Sequence, residues 1–392
     1  MLQIYPLPAH PLKPTSCMIE MLMSLALAFG ISFYALPAII NITIEKGLFD
    51  FPDDRKVHNN PIPSLGGLAI YAGFIMAFLI TVSFAGTQFV FQYFLAATLV
   101  IFFIGLKDDL LNLVPFKKFL GQVLAASLLV FKGGLVINHL GGILGIGELQ
   151  PVIAQILSVF TLVVIINAFN LIDGVDGLAG TLSLITSCML AVFFAINGDY
   201  AYACMATSLM GAVAAFLIFN YAPARIFMGD TGSLMIGLVN GAMVIHFIQT
   251  AGSAPVLAVQ SAGALGFAVM FVPLFDTLRV FSYRILKGIS PFTPDRNHIH
   301  HILMRFGWSH TKVTITLAFA AVAFAGISWA LQGLGNSILL LVIVGLGFLS
   351  VGIALLSYKS YRHKMLADKS PRINAGANAA PVISVKTKKA AN

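Results

Sequence analysis

The chain has 392 residues, of which 58% are hydrophobic and only 10% are charged. Soluble domains usually carry about 25% charged residues, so this composition excludes an ordinary soluble enzyme, a disordered protein and a nucleic-acid-binding domain. The net charge of +8 comes from basic residues in short segments between long apolar runs, a pattern that sets orientation in membrane proteins. The three cysteines form no C-x-x-C pair and predict neither a disulfide framework nor a zinc ribbon.

Apolar stretches along the chain predict transmembrane helices, because a helix needs about 20 mostly apolar residues to cross the hydrocarbon core. The eleven predicted spans are residues 21–40, 66–85, 89–106, 119–131, 152–168, 178–196, 200–219, 231–249, 256–275, 313–331 and 338–356. The expected fold class is therefore an all-α polytopic membrane protein with eleven transmembrane helices.

Basic residues predict the orientation of these spans. Of the 23 Lys and Arg residues, all but Lys13 and Lys132 fall in one alternate set of loops or in the C-terminal tail. The positive-inside rule places this set in the cytoplasm and the N-terminus outside. The predicted parts are an outer segment (1–18), a transmembrane domain (19–357) with cytoplasmic loops near 41–65, 107–118, 169–177, 220–230 and 276–312, and a basic disordered cytoplasmic tail (358–392).

Acidic residues collect at the same cytoplasmic ends. Twelve of the 15 Asp and Glu residues lie there, and none lies in the middle of a predicted span. Ion-coupled transporters typically keep an ionisable group near the bilayer midplane. The distribution therefore favours an enzyme at the cytoplasmic membrane surface, and a transporter or flippase of a lipid-linked or anionic solute is the alternative.

Five cytoplasmic segments concentrate the polar residues, at 50–67, 105–112, 167–180, 219–234 and 290–301. The second contains the adjacent carboxylates Asp108 and Asp109, which are costly near the interface unless lysines or a divalent cation neutralise them. The third contains two Asp-Gly units that begin at Asp173 and Asp176, and their glycines permit tight turns and close approach of a ligand.

The last two segments add an isolated carboxylate and a group of imidazoles. Asp230 stands between two glycines just before an apolar stretch. His298, His300 and His301 follow Arg296, without cysteine and without the helical i, i+4 spacing of a catalytic zinc site. Imidazoles beside an arginine suit a polyphosphate better.

Carboxylates and basic groups on one membrane face are typical of sites where Mg²⁺ neutralises phosphate oxygens. The neighbouring apolar helices would hold a lipid. The residues alone therefore predict a phosphoryl-type transfer between a soluble nucleotide compound and a membrane lipid.

All five segments, in order over about residues 50–301, resemble the polyprenyl-phosphate N-acetylhexosamine-1-phosphate transferases. The similarity is strongest to the undecaprenyl-phosphate N-acetylglucosaminyl-1-phosphate transferase branch. The resemblance implies transfer of N-acetylhexosamine-1-phosphate from a UDP-sugar to undecaprenyl phosphate at the inner membrane, with release of UMP and with Mg²⁺, or alternatively Mn²⁺, as cofactor. This would be the first membrane step of a cell-envelope glycan, such as a lipopolysaccharide or cell-wall polymer.

The resemblance also implies roles for individual acids. Asp230 is expected to be the principal metal ligand, joined by Asp109, and Asp108 and Asp109 are expected to bind or deprotonate the lipid phosphate. Asp173 is expected to take part in catalysis in the nucleotide site, and Asp176 to lie near the uracil.

Further residues are expected to contact the substrates. His298 is assigned to catalysis on the diphosphate and sugar side of the donor. The other residues assigned to substrate binding are Asn170, Phe227 (stacking on uracil), Arg296, His300, His301, Lys56 and Lys117. The sequence leaves open which UDP-sugar is used, the oligomeric state, a homodimer included, and the choice between direct attack by the lipid phosphate and a covalent intermediate.

Overall fold

The computed structural model describes residues 14–50, 62–82, 91–290 and 297–369. Lys56, Arg296, most of the expected outer segment and the end of the expected tail lie outside these ranges.

Helices dominate the described residues. The α-helices are α1 (Pro14–Lys46), α2 (Gly66–Thr81), α3 (Phe91–Leu111), α4 (Pro115–Ser127), α5 (Pro151–Ile172), α6 (Leu178–Ile196), α7 (Tyr200–Asn220), α8 (Gly229–Thr250), α9 (Ala262–Val269), α10 (Phe271–Leu286), α11 (Ile299–Arg305), α12 (His310–Ala330) and α13 (Asn336–Lys369). A π-helical turn, Leu128–Lys132, extends α4. Proline at the first position starts α4 and α5, where its missing N–H costs nothing.

Two short antiparallel strand pairs complete the described secondary structure. Strand β1 (Phe49–Asp50) pairs with β2 (Ile62–Pro63), with Phe49 opposite Pro63. Strand β3 (His139–Ile143) pairs with β4 (Ile146–Glu148), with His139 opposite Glu148.

The multi-pass class expected from composition is confirmed. Seven described helices are long and apolar enough to cross a membrane: Cys17–Lys46, Pro151–Ile172, Leu178–Ile196, Tyr200–Asn220, Gly229–Ser253, His310–Ala330 and Asn336–Ser360. If the bent pair of α9 and α10 is counted as one span, the number of described candidate spans rises to eight. The expected spans near 66–85, 89–106 and 119–131 correspond to α2, α3 and α4, which are not among the seven, so a total of eleven remains a prediction.

The expected span 256–275 is not one straight helix. Its first residues are non-helical, and α9 and α10 then meet at an angle of 90° around Met270. Pro273 stands at the third position of α10. Its ring would clash with the carbonyl of Val269 in a continuous helix, and it lacks an N–H to donate. The chain therefore bends here, and α10 runs on to Leu286, through residues expected to form a loop.

Helix α8 forms the buried centre of the fold and packs against α2, α3, α5 and α6. Two glycines let neighbouring helices approach its first turn through backbone atoms. A Cβ on Gly67 of α2 would lie 2.7 Å from the Cα of Gly232, and one on Gly105 of α3 would lie 2.5 Å from the Cα of Thr231. These contacts determine where α8 begins.

We expect Gly105→Ala to destabilise the protein by about 1–3 kcal/mol, because the added methyl overlaps backbone that cannot rotate away. The matched control is Gly326→Ala in α12, where a Cβ would meet nothing within 4 Å. Alanine there should be neutral or stabilising by up to about 1 kcal/mol. Thermal unfolding in detergent measures both, and equal melting temperatures for the two variants would contradict the packing described.

Candidate active site

A cavity of 360 Å³ opens where α3, α5 and α7 end and where α8 and α12 begin. Its lining residues are Ser64, Asp108, Asp109, Asn112, Asn170, Asp173, Gly174, Val175, Asp176, Asn220, Phe227, Gly229, Asp230 and His310. The structure thus brings together the five aspartates that the sequence had placed in three separate segments.

Asp230 stands in the first turn of α8, immediately after Gly229. Gly229 has a φ of 70°, and a Cβ on it would lie 2.7 Å from the Asp109 carboxylate, so only glycine fits this position. The Asp230 carboxylate accepts hydrogen bonds from the Asn170 amide at 2.5 Å and from the Lys118 ammonium at 2.6 Å. Asn170 comes from the last turn of α5 and also donates to Ser233 at 2.9 Å.

Lys118 links two of the carboxylates. Its Nζ lies 3.1 Å from Asp108 and 2.6 Å from Asp230. Burial lowers the pKa of Lys118, but the charges and hydrogen bonds of Asp230 and Asp108 outweigh burial and raise the pKa above its usual range. This lysine therefore carries a positive charge between two acids.

The sequence had assigned Lys117 to substrate binding rather than Lys118. Lys117 is exposed, because adjacent residues on a helix point in different directions. The spacing of residues 118, 122 and 125 places Lys118 on the same helical face as Gln122 and Ala125. In the structure Gln122 and Ala125 are buried, and this face carries Lys118 towards the carboxylates. Gln122 in turn pairs with Asn167 of α5.

Asp109 holds the start of α8. One of its carboxylate oxygens accepts the N–H of Asp230 at 2.6 Å, and the other accepts the N–H and the hydroxyl of Thr231 at 3.0 Å and 2.6 Å. A carboxylate at a helix N-terminus satisfies free N–H groups and interacts favourably with the helix dipole. The geometry therefore gives Asp109 an anchoring position, whereas the sequence had assigned it to the metal.

Asp108, by contrast, presents its carboxylate beside Asp230. One oxygen accepts the N–H of Leu113 at 2.5 Å, and the other faces Lys118. Asp108 is 9% exposed. Of the two adjacent acids, Asp108 is thus the one whose carboxylate shares a cation with Asp230.

The two Asp-Gly units form the next part of the wall. Asp173 directly follows the last residue of α5, and Gly177, with a φ of 75°, precedes α6. Burial, followed by the charges of Asp230, Asp109 and Asp176, raises the pKa of Asp173 to about 8. The cavity therefore holds more negative charge than Lys118 neutralises.

Asp176 faces a side chain that the sequence had not singled out. Its carboxylate lies 3.1 Å from His310 Nδ1 and accepts the N–H of Ala224 at 3.2 Å. Phe227 also lines the cavity, and its backbone exchanges hydrogen bonds with Pro63 and Gly66 at 2.7 Å and 2.9 Å. His310 lies far along the chain from the other cavity residues, and no local motif marks it.

The three histidines are not among the residues that line this cavity. His298 is bonded to Asp276 of α10 at 2.8 Å. A Cβ on Gly174 would lie 2.6 Å from Nε2 of His300, so the His300 ring packs directly under the Asp-Gly loop. Burial, followed by the charge of His301, lowers the pKa of His300 to about 3, so His300 is neutral at physiological pH.

The carboxylates of the cavity offer a metal ion few ligands. Among the described residues, no three His, Cys, Asp or Glu side chains are arranged to hold one. Mg²⁺ in phosphate-handling sites takes one or two carboxylates, with water and substrate phosphates as the other ligands. Asp108 and Asp230, which share the cation of Lys118, fit that requirement.

We expect Asp173→Asn to stabilise the protein in metal-free buffer, and increasingly so from about pH 5 to pH 8. With a pKa of about 8 the folded protein retains a proton on Asp173 that the unfolded chain loses near pH 3.9, so wild-type stability falls as pH rises between these values. Asparagine does not titrate, so the variant lacks this decrease in stability with rising pH. Melting temperatures of both proteins across this range test it, and a constant difference would contradict the raised pKa.

Comparisons with known proteins identify the family. A profile described as "Glycosyl transferase family 4" matches residues 91–248. The chain is 37% identical over 309 residues to the decaprenyl-phosphate N-acetylglucosaminephosphotransferase of Mycolicibacterium smegmatis, covering 73% of this chain and 76% of that protein. It is 33% identical over 301 residues to the undecaprenyl-phosphate alpha-N-acetylglucosaminyl 1-phosphate transferase of Yersinia pestis, covering 73% and 78%.

The undecaprenyl-phosphate alpha-N-acetylglucosaminyl 1-phosphate transferase of Escherichia coli O157:H7 is 32% identical to this chain over 319 residues, which cover 79% of this chain and 83% of that protein. These matches confirm the resemblance found in the sequence motifs. Identity of this level over most of both chains shows that this chain belongs to glycosyl transferase family 4, among the polyprenyl-phosphate N-acetylglucosaminephosphotransferases.

Proposed function

We propose that the protein transfers N-acetylglucosamine-1-phosphate from UDP-N-acetylglucosamine to undecaprenyl phosphate, giving undecaprenyl-diphospho-N-acetylglucosamine and UMP. The observation that carries this proposal is the convergence of Asp108, Asp173, Asp176 and Asp230 on one cavity, with Lys118 between two of them. The names of the relatives supply the substrate class.

The chemistry is a displacement at the sugar-linked phosphorus. An oxygen of the lipid phosphate forms the new P–O bond, and the bond to the oxygen shared with UMP breaks, so UMP leaves with that oxygen. Asp108 receives a proton from the lipid phosphate when the latter arrives protonated. Both reactants are anionic, so neutralising and aligning their charges contributes more than the strength of the base.

We assign Mg²⁺ to Asp230 and Asp108. When bound there, it would neutralise the diphosphate oxygens of the donor. Lys118 adds a fixed positive charge at the same place, and Asn170 orients the Asp230 carboxylate. Asp109 keeps the helix start in position.

The remaining cavity residues fit the nucleotide. Phe227 offers a ring on which uracil can stack, and Asp176 offers a carboxylate to its N–H group. His310 fixes Asp176 from α12. Arg296 and Lys56 are proposed phosphate contacts from the sequence motifs alone.

We further propose eleven spans in the inner membrane, with the N-terminus outside and the active site on the cytoplasmic face. The basic residues of the loops support this orientation. A site on that face would take a soluble UDP-sugar from the cytoplasm while the apolar lipid chain remains in the bilayer.

Purified protein in detergent, given Mg²⁺, undecaprenyl phosphate and UDP-N-acetylglucosamine, is expected to release UMP and form a lipid-linked sugar. A transporter would need a sealed compartment and would release no UMP. A panel of other UDP-sugars, tested in the same assay, identifies the preferred donor.

We expect Asp230→Asn to reduce UMP release at least about 100-fold, because it removes a charge from the proposed metal site. Melting temperature and yield should stay close to wild type, since asparagine retains the size of the side chain. Turnover within a few fold of wild type, in Mg²⁺ titrated to saturation, would refute the assignment.

Two adjacent lysines provide a matched pair. We expect Lys118→Met to reduce turnover about 100-fold, because two carboxylates lose the charge between them, and Lys117→Met to leave turnover within about twofold, because Lys117 is exposed. Initial rates of UMP release decide between them. The reverse order would restore the role that the sequence had assigned to Lys117.

A further inference from the structure

The histidine segment is fastened to α10 by one buried carboxylate. Asp276 is 1% exposed. Its Oδ2 faces Nδ1 of His298 at 2.8 Å, and its Oδ1 accepts the N–H of Ile299 at 2.8 Å and a guanidinium N–H of Arg279 at 2.9 Å. Arg279 also donates to the carbonyl of Asn297. Both ends of the short turn before α11 are therefore held by α10.

This arrangement determines which nitrogen of His298 carries the proton. An oxygen that faces a backbone N–H and a guanidinium acts only as an acceptor, and a carboxylate with such partners is ionised. Nδ1 of His298 must then be the donor to Oδ2. Within the described ranges no hydrogen bond reaches Nε2 of His298, so Nε2 is the nitrogen left for a ligand.

His298 is connected to the cavity through its neighbour. The His298 and His300 rings are stacked, with centroids 5.6 Å apart and an angle of 9° between planes. His300 is 1% exposed and packs under Gly174, which lines the cavity next to Asp173. The position of the His298 ring is thus coupled to the wall on which the donor would rest.

We propose that Asp276 is a positioning residue for the transfer reaction, which acts through His298. It keeps His298 in the Nδ1–H form, so that Nε2 presents a lone pair, which can accept a hydrogen bond from a hydroxyl or N–H group on the sugar of the donor. Buried carboxylates that orient a histidine in this way are a general device of active sites. The proposal rests on the proposed function for its kinetic consequences but not for its structural ones.

The informative substitution is Asp276→Asn. The asparagine amide has one acceptor oxygen and one NH₂ group. The N–H groups of Ile299 and Arg279 need the oxygen as their acceptor, so the NH₂ group must face His298. Nδ1 must then accept and the ring proton moves to Nε2. We expect a loss of about 100-fold, mainly in kcat.

A double-mutant cycle separates positioning from general damage. If Asp276 acts through His298, the variant with both Asp276→Asn and His298→Ala should be no slower than His298→Ala alone. Losses that multiply would overturn the proposal, because they would show that Asp276 acts independently of His298.

The chain contains a matched control for this substitution. Asp199 pairs with His246 at 2.5 Å, about 24 Å along α8 from Asp230 at a rise of 1.5 Å per residue. Asp199→Asn breaks the same type of pair and should leave turnover within about twofold of wild type. A loss equal to that of Asp276→Asn would overturn the proposal, since any broken Asp–His pair would then have the same effect.

A spectroscopic measurement tests the structural part without any substitution at Asp276. In wild-type protein labelled with ¹⁵N-histidine, the His298 signals, identified by their loss in His298→Ala, should report a proton on Nδ1. A neutral ring protonated on Nε2 would overturn the proposal. Since this readout needs no turnover, wild-type protein that released no UMP would contradict the proposed function and leave this measurement valid.

Discussion

The site depends on the close approach of three helices at the first turn of α8. Gly67 and Gly105 bring the backbones of α2 and α3 against that turn, and Asp109 accepts its free N–H groups. Because α8 is also buried along most of its length, its start cannot shift without disturbing the centre of the fold. Asp230 is thus placed by backbone contacts of Gly67 and Gly105 together with the Asp109 carboxylate.

Around Asp230 the acidic side chains outnumber the basic ones among the described residues. Five aspartates line the cavity, and among the described residues Lys118 is the cation that bridges two of them. Burial makes such an excess of carboxylates unfavourable, as the raised pKa of Asp173 shows. A cation bound there would offset this excess of negative charge, which links the electrostatics of the cavity to the proposed chemistry.

Each acid of the cavity has a different surrounding and therefore a different task. Asp109 receives backbone N–H groups, Asp230 receives an amide and an ammonium, and Asp176 faces His310. Asp276 lies on another helix and acts on the histidine segment. Aspartates in different surroundings thus become an anchor, a proposed metal ligand, a proposed nucleotide contact and a proposed positioning group.

The sequence by itself determined the membrane class, the family and the segments that meet at the site, because hydropathy and short motifs are local properties of the chain. The tertiary structure decided what each member of a pair contacts. Asp108 rather than Asp109 shares the Lys118 ammonium with Asp230, and Lys118 rather than Lys117 reaches these carboxylates. Side-chain direction depends on how α3 and α4 pack against α5 and α8, and such packing is set by distant residues. The bend between α9 and α10 and the arrival of His310 from α12 depend on the same long-range contacts.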